Sequence, residues 1–111
     1  MLKTYFVNFE DIPNGMIEAY LRKSGDDTIR GDYALLIEEN YIPIGFITFH
    51  YDDEYLYLDN VFGDERVIDI IRKLKNSLQL NKVMFATKRN YKTFERKYKA
   101  KLVGYIMELD L

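Results

Sequence analysis

Cysteine and tryptophan are absent from this chain of 111 residues, histidine occurs once and proline twice. Without cysteine there can be no disulfide, no thiolate metal ligand and no cysteine nucleophile. A single histidine, His50, argues against a histidine-rich metal centre or a relay built on several imidazoles. No apolar run approaches the ~18 residues that a membrane span needs. The first residues, Met1-Leu2-Lys3-Thr4-Tyr5, carry no signal-peptide pattern. These absences fit a cytoplasmic protein. Linkers, internal repeats and low-complexity segments are also missing, so the expectation is one domain spanning 1–111.

What the chain does have is tyrosine, 10 residues of it, beside 7 phenylalanines. Together with the lysine, asparagine and isoleucine usage, this is the composition of an AT-rich genome, such as a low-GC bacterium or one of its phages. A hydrophobic content of 48% is normal for a globular domain. The formal net charge of −2 hides an asymmetry: residues 1–60 hold 12 acidic and 4 basic side chains, and residues 61–111 hold 6 and 12. Such a split suits one surface that attracts a polyanion and another that repels it, or two halves that complement each other within one fold.

Hydrophobic periodicity sets the element order. Lys3–Phe9 reads as a strand that ends near Pro13. Asn14 can cap a short helix with Met16, Ile17, Tyr20 and Leu21 on one face and Ser24-Gly25 as its stop. After a polar loop, Tyr33–Glu38, Ile42–Tyr51 and Glu54–Val61 read as an antiparallel meander, with turns at Glu39-Asn40-Tyr41 and Asp52-Asp53. Val67, Ile68, Ile70, Ile71, Leu74 and Leu78 fall at helical spacing, predicting a helix over 65–79. Val83–Thr87 is a short apolar run, hence a buried strand. A helix connects it to strand 54–61, so the two should run parallel. Asn90 opens a helix with Tyr91, Phe94 and Tyr98 on one face, and Leu102–Leu111 reads as one last strand. The order β-α-β-β-β-α-β-α-β is an α+β fold with a mixed sheet and helices on both faces.

The stretch Leu58–Leu74 is the most informative. A strand, a glycine-containing loop and a helix N-terminus together form a standard anion site. Here the loop Phe62-Gly63-Asp64-Glu65-Arg66 carries two carboxylates.

Element order and local patterns together resemble the GNAT acyltransferases, which move an acyl group from coenzyme A to an amine. Leu35–Ile47 looks like the paired strands of that family, Leu58-Asp59-Asn60-Val61 like its fourth strand, and Asn90 to Phe94, Tyr98 and Val103-Gly104-Tyr105 like its closing helix and strand. The resemblance covers nearly the whole chain through loose motifs. Two departures stand out. The family's coenzyme loop reads Arg/Gln-x-x-Gly-x-Gly/Ala, and Glu65 and Val67 occupy the places of its small residues. A Cβ there blocks the approach of a pyrophosphate to backbone N–H groups, and the carboxylates repel it; Arg66 could partly compensate. The N-terminal region that covers substrate in the family is also reduced to about one helix.

The resemblance implies site residues. Asp59 or Glu54 would be the base, with Asp59 the better placed, two residues before Val61, whose backbone would meet the acyl carbonyl. Tyr98 would be the acid for the leaving thiolate, unless Phe94 takes its place. Val61, Gly63, Arg66 and Asn90 would contact the coenzyme. Each has a plainer reading: Asp59 as a strand-end residue, Tyr98 as core packing, Asn90 as a helix cap. His50, before Asp52-Asp53, reads as an exposed turn residue. Tyr51, Tyr55 and Tyr57 read as an aromatic cluster. Independently, Lys88, Arg89, Lys92, Arg96, Lys97, Lys99 and Lys101 set seven cations in 14 residues, interleaved with aromatics, a pattern that suits nucleic acid or another polyanion. The expectation is a reduced GNAT-fold protein with an eroded acyl-CoA site, acting as a protein-binding or nucleic-acid-binding accessory module. The alternatives are an active acyltransferase using acetyl-CoA, and a nucleic-acid binder through 88–101. No metal is expected, and the last strand could pair across a homodimer.

Overall fold

Antiparallel pairs of consecutive strands and one parallel crossover organise the sheet. In the computed structural model, which describes residues 1–86, 96, 101–103 and 106–111, the elements are β1 (Leu2–Val7), a 3-10 turn (Phe9–Asp11), α1 (Asn14–Ser24), β2 (Tyr33–Glu39), β3 (Ile42–Tyr51), β4 (Tyr55–Phe62), α2 (Val67–Ser77), β5 (Lys82–Phe85), β6 (Lys101–Val103) and β7 (Ile106–Leu109). They form one mixed sheet in the order β1-β2-β3-β4-β5-β7-β6. The α+β reading holds, including the parallel pairing of β4 with β5 that the intervening helix requires.

Local chemistry explains most boundaries. The β2–β3 turn places Asn40 and Tyr41 at φ 52° and 70°, the left-handed pair that matches the twist of a two-residue hairpin. At the β3–β4 turn, Asp52 Oδ1 accepts the amides of Glu54 and Tyr55 at 2.9 and 2.8 Å. Helix α1 ends on Gly25, left-handed at φ 76°, whose amide bonds Leu21 O. Its N-cap is Pro13 rather than Asn14, which lies inside the first turn. The expected last strand is two strands: β6 and β7 pair antiparallel, with Leu102 opposite Met107. A continuous apolar alternation does not reveal where a chain reverses. The helix expected to start at Asn90 lies outside the described residues.

Period-2 alternation sorts the side chains onto two layers. Leu35, Ile37, Ile47, Phe49, Leu56, Val83, Met107 and Leu109 pack on one face with Ile70, Ile71 and Leu74 of α2. Ala34 and Phe46 face the other way, against Ile12 and the α1 residues Met16, Ile17 and Tyr20. Full burial of a side chain the size of Phe46 or Leu56 contributes about 1.5–3 kcal/mol. Tyr51 separates from the other tyrosines: it stacks on Tyr33 at 5.6 Å on the α2 face, while Tyr55 and Tyr57 make an edge-to-face pair at 6.1 Å on the opposite one.

One break in the alternation matters for function. Thr48 pairs with Asn60 but Phe49 pairs with Leu58, so Asp59 is an extra residue, a β-bulge in β4. Leu56 and Leu58 before it, and Val61 after it, all pack on the α2 side. Glycine at 45 lets β3 lie against the end of β4, because a Cβ there would collide with the Phe62 carbonyl oxygen.

Candidate functional site

Among the described residues, β4 and β5 pair from Tyr55–Lys82 to Leu58–Phe85, while β4 runs on through the bulge to Phe62. A cleft of about 1010 Å³ opens there, bordered among the described residues by Leu58, Val61 and Phe85 on its apolar side and by Asp59, Asp26 and Arg30 on its polar side. Where no strand lies beside it among the described residues, the edge of β4 offers backbone N–H and C=O groups for an extended ligand to pair with.

A buried polar chain holds the cleft wall. Asn60 is 4% exposed. Its Oδ1 accepts from Thr48 Oγ1 at 2.8 Å and from the Arg30 amide at 2.7 Å. Its Nδ2 donates to Tyr20 Oη at 3.0 Å, and Tyr20 in turn donates to Asp26 Oδ2 at 2.8 Å. Burial raises the Tyr20 hydroxyl above its ordinary value, with the hydrogen bond from Asn60 working against that rise. This chain ties the loop after α1 to β4, so the loop forms one rim of the cleft. Sequence reasoning passed over Asn60, although an asparagine inside an apolar strand was a signal that it has partners.

Asp59 points toward β3, where its Oδ2 lies 2.8 Å from His50 Nδ1. The expectation for His50 was an exposed turn residue. It lies in β3, within the strand expected over Ile42–Tyr51, but is half-exposed, stacked face to face on Tyr57 at 4.7 Å and 5°, and bonded to Asp59. The sequence separation of nine residues hides this pairing until the hairpin closes.

At the far end of the cleft, the loop between β4 and α2 satisfies itself. Asp64 Oδ1 accepts the Arg66 amide at 2.9 Å. The amides of Val67 and Ile68 bond Asp64 O and Glu65 O at 3.1 and 3.2 Å. The Arg66 guanidinium binds Asp64 and Glu39. The Asp64 hydrogen bonds, then the Glu39 one, hold Arg66 charged far above its usual range, and Arg66 in return pulls the Asp64 carboxyl below its own. Arg66 does not border the cleft, whereas Val61, Gly63, Asp64, Glu65 and Val67 do. Asn90, Tyr98, Lys88, Arg89, Lys92, Lys97 and Lys99 lie outside the described residues. Arg96 is helical and exposed, and Lys101 starts β6. Among the described residues no group of three or more His, Asp or Glu could hold a metal ion, and no helix is long and apolar enough to cross a membrane.

No family model matches the chain by sequence, and no curated protein does. Solved structures match it throughout. N-acetylglutamate synthase from Neisseria gonorrhoeae, complexed with coenzyme A and N-acetyl-glutamate, aligns with 100% of this chain at TM-score 0.69 and 12% identity; the alignment spans 35% of that larger protein. A GNAT family acetyltransferase from Elizabethkingia anophelis with acetyl-CoA bound aligns over 99% of this chain and 98% of its own, at TM-score 0.58 and 11% identity.

The chain has the GNAT fold.

A third GNAT structure, from Brucella melitensis in complex with acetyl-CoA, covers 100% of this chain and 88% of its own at TM-score 0.55 and 15% identity. The GNAT resemblance read from Leu35–Ile47 and Leu58–Val61 therefore extends to the full architecture. At these identities the likeness is one of fold, and the chemistry of the cleft has to be argued from its own residues.

Proposed function

We propose that this protein binds the acyl-pantetheine end of an acyl-CoA in the cleft between β4 and β5 and transfers the acyl group to an amine. One observation carries the reading: among the described residues the pairing of β4 with β5 ends at Leu58, next to the Asp59 bulge and beside a cleft large enough for an extended thioester arm. The exposed edge of β4 would pair with the amides of such an arm, and the apolar wall of Leu58, Val61 and Phe85 would receive its acyl and methylene groups. The three structural neighbours named above were crystallised with coenzyme A or acetyl-CoA, which supports the choice of donor.

The diphosphate end differs. Amides that could face a phosphate are taken up by Asp64 and Glu65, and two carboxylates border the site. The donor is therefore held by its pantetheine arm, with little help from the diphosphate. Thermal-shift titration with acetyl-CoA and with acetyl-pantetheine tests this. Comparable stabilisation by both is expected, following RT ln(1 + [L]/Kd). No shift with either at millimolar concentration would reject the donor reading.

A second reading follows from the same loop. A cleft that repels the diphosphate could belong to a domain that has given up transfer and serves as an accessory module for a protein or polyanionic partner. Absence of binding to both donors, with retention of a partner whose affinity falls steeply with salt, would favour it.

A further inference from the structure

We propose that β1 is a homodimerisation strand: two copies of this chain join along it, antiparallel, about a two-fold axis that passes between their Thr4 residues. β1 is one end of the sheet, and among the described residues it pairs with β2 alone. Its outer edge there offers backbone N–H and C=O groups to a further strand. Such edges are ordinarily blunted by a bulge, a proline, shortness or charge. β1 has six residues, pairs without interruption from Leu2–Glu39 to Val7–Ala34, and contains no proline. Its one charge is Lys3. β6, at the other end of the sheet, is the blunted kind: three residues that begin with Lys101. The side chains of β1 repeat the signal. Lys3, Thr4, Tyr5 and Phe6 are all exposed. Phe6, at 68%, leaves most of its ring in water although it lies against Phe49.

The occupant is a second copy because the edge is complementary to itself. Residues opposite each other in an antiparallel pair project from the same face. Leu2, Thr4 and Phe6 lie on the α2 face, and Lys3, Tyr5 and Val7 on the other. Like edges can thus meet only where the paired residue numbers sum to an even value. A centre on Thr4 pairs Leu2 with the partner's Phe6, and Phe6 with the partner's Leu2, so each exposed ring gains an aliphatic neighbour. On the other face it pairs Lys3 with the partner's Tyr5. That tyrosine sits beside a carboxylate: partial desolvation, then the charge and hydrogen bond of Glu38, hold its hydroxyl above the ordinary value. Within one copy Lys3 stands opposite Glu38 in the register, yet its Nζ reaches over the Tyr41 ring instead. Across the axis each Lys3 meets a ring and a carboxylate of the other copy. The residue that would guard the edge then serves the pairing. A centre on Tyr5 would set Lys3 against the partner's Val7 and leave its charge unmatched. β2 and β3 separate β1 from β4. The dimer therefore leaves the cleft open, and it holds whether or not the cleft takes an acyl donor.

The test starts with sedimentation equilibrium of the wild-type protein from low micromolar to near-millimolar concentration, where a reversible monomer–dimer equilibrium is expected. Thr4→Lys sets two like charges opposite each other at the axis and should raise the dissociation constant about tenfold or more. Single cysteines read the register, since the chain has none of its own. Thr4→Cys places two thiols across the axis at the ~4.5–5.5 Å Cβ separation of a facing pair. Mild oxidation should trap it as a disulfide dimer that reductant releases. Tyr5→Cys puts its two thiols on residues displaced along the strands, beyond the ~7 Å Cα separation that a disulfide spans, and should not be trapped. Thr4 and Tyr5 are exposed, so these variants keep the fold, which circular dichroism checks. A monomer at every concentration, a dimer that Thr4→Lys leaves intact, or trapping of Tyr5→Cys but not of Thr4→Cys would overturn the proposal.

Discussion

Asp64 grips Arg66, the residue just before α2, from two sides: its Oδ1 accepts the Arg66 amide at 2.9 Å while its Oδ2 takes the Arg66 guanidinium at 2.8 Å. A residue of the chain thus supplies the negative charge that a helix N-terminus attracts. The prediction is that Asp64→Ala combined with Glu65→Gly frees the Arg66 amide, removes the repulsion and clears the Cβ at position 65, while the Val67 and Ile68 amides stay on backbone carbonyls. Affinity for acetyl-CoA should rise about tenfold or more, about 1.4 kcal/mol, while affinity for acetyl-pantetheine stays the same. Calorimetric titration of both ligands checks it, and an equal gain for both would place the effect elsewhere.

Acid stability should depend on Asp52 and Asp64. Asp52 lies below its ordinary value because the amides of Tyr55 and Glu54 bond its charged form, and Asp64 because Arg66 does so. A carboxyl depressed in the folded state contributes stability above its unfolded value of 3.8, lost as pH falls through the folded value. Urea midpoints should therefore hold steady at neutral pH and fall below about pH 4. Asp52→Asn should flatten that fall, and an unchanged acid limb would remove Asp52 from the explanation.

Tyr41 sits at φ 70°, a conformation that costs a residue with a Cβ about 1–2 kcal/mol. Glycine following asparagine is the preferred hairpin pair. Tyr41→Gly loses the contact of Lys3 Nζ with the ring, 5.3 Å from its centroid, which at an exposed site is worth about 0.5–1 kcal/mol. A net gain of about 0.5–1 kcal/mol in chemical denaturation is expected. A loss would mean that the ring contact outweighs the strain.

Asn60→Ala leaves the Thr48 hydroxyl and the Arg30 amide without their shared acceptor. Destabilisation of about 2–3 kcal/mol is expected, with faster hydrogen exchange in the loop after α1. Exchange that stays slow would show that the loop is held by other means.

Gly45→Ala would drive a methyl into the Phe62 backbone carbonyl. Backbone cannot rotate away as a side chain can, so β3 and β4 must separate at the cleft. A cost above about 2 kcal/mol is expected by urea denaturation, together with weaker donor binding. A neutral substitution would show that the β3–β4 pairing near Phe62 is adaptable.

The sequence by itself determined the layers. The alternation in Tyr33–Glu39 and Ile42–Tyr51 sets which side chains meet α1 and which meet α2. The helix before Val83 requires β5 to run parallel to β4, and Asn40 marks the first hairpin turn. These are local rules of period and turn chemistry, and they act wherever the chain goes. Only the tertiary structure decided the rest. By strict alternation Tyr57, Asp59 and Val61 would share one face, yet the extra residue against β3 leaves Asp59 beside His50 and Tyr57 and turns Val61 to the α2 side. That register shift depends on how β3 and β4 twist against each other, a property of the assembled sheet. The division of the last strand into β6 and β7 likewise arises from pairing. Arg66 could have faced a ligand, but the fold brings Glu39, 27 residues earlier in the chain, within reach of its guanidinium. A charged side chain is oriented by the partners that folding supplies, and those partners are not its neighbours in sequence.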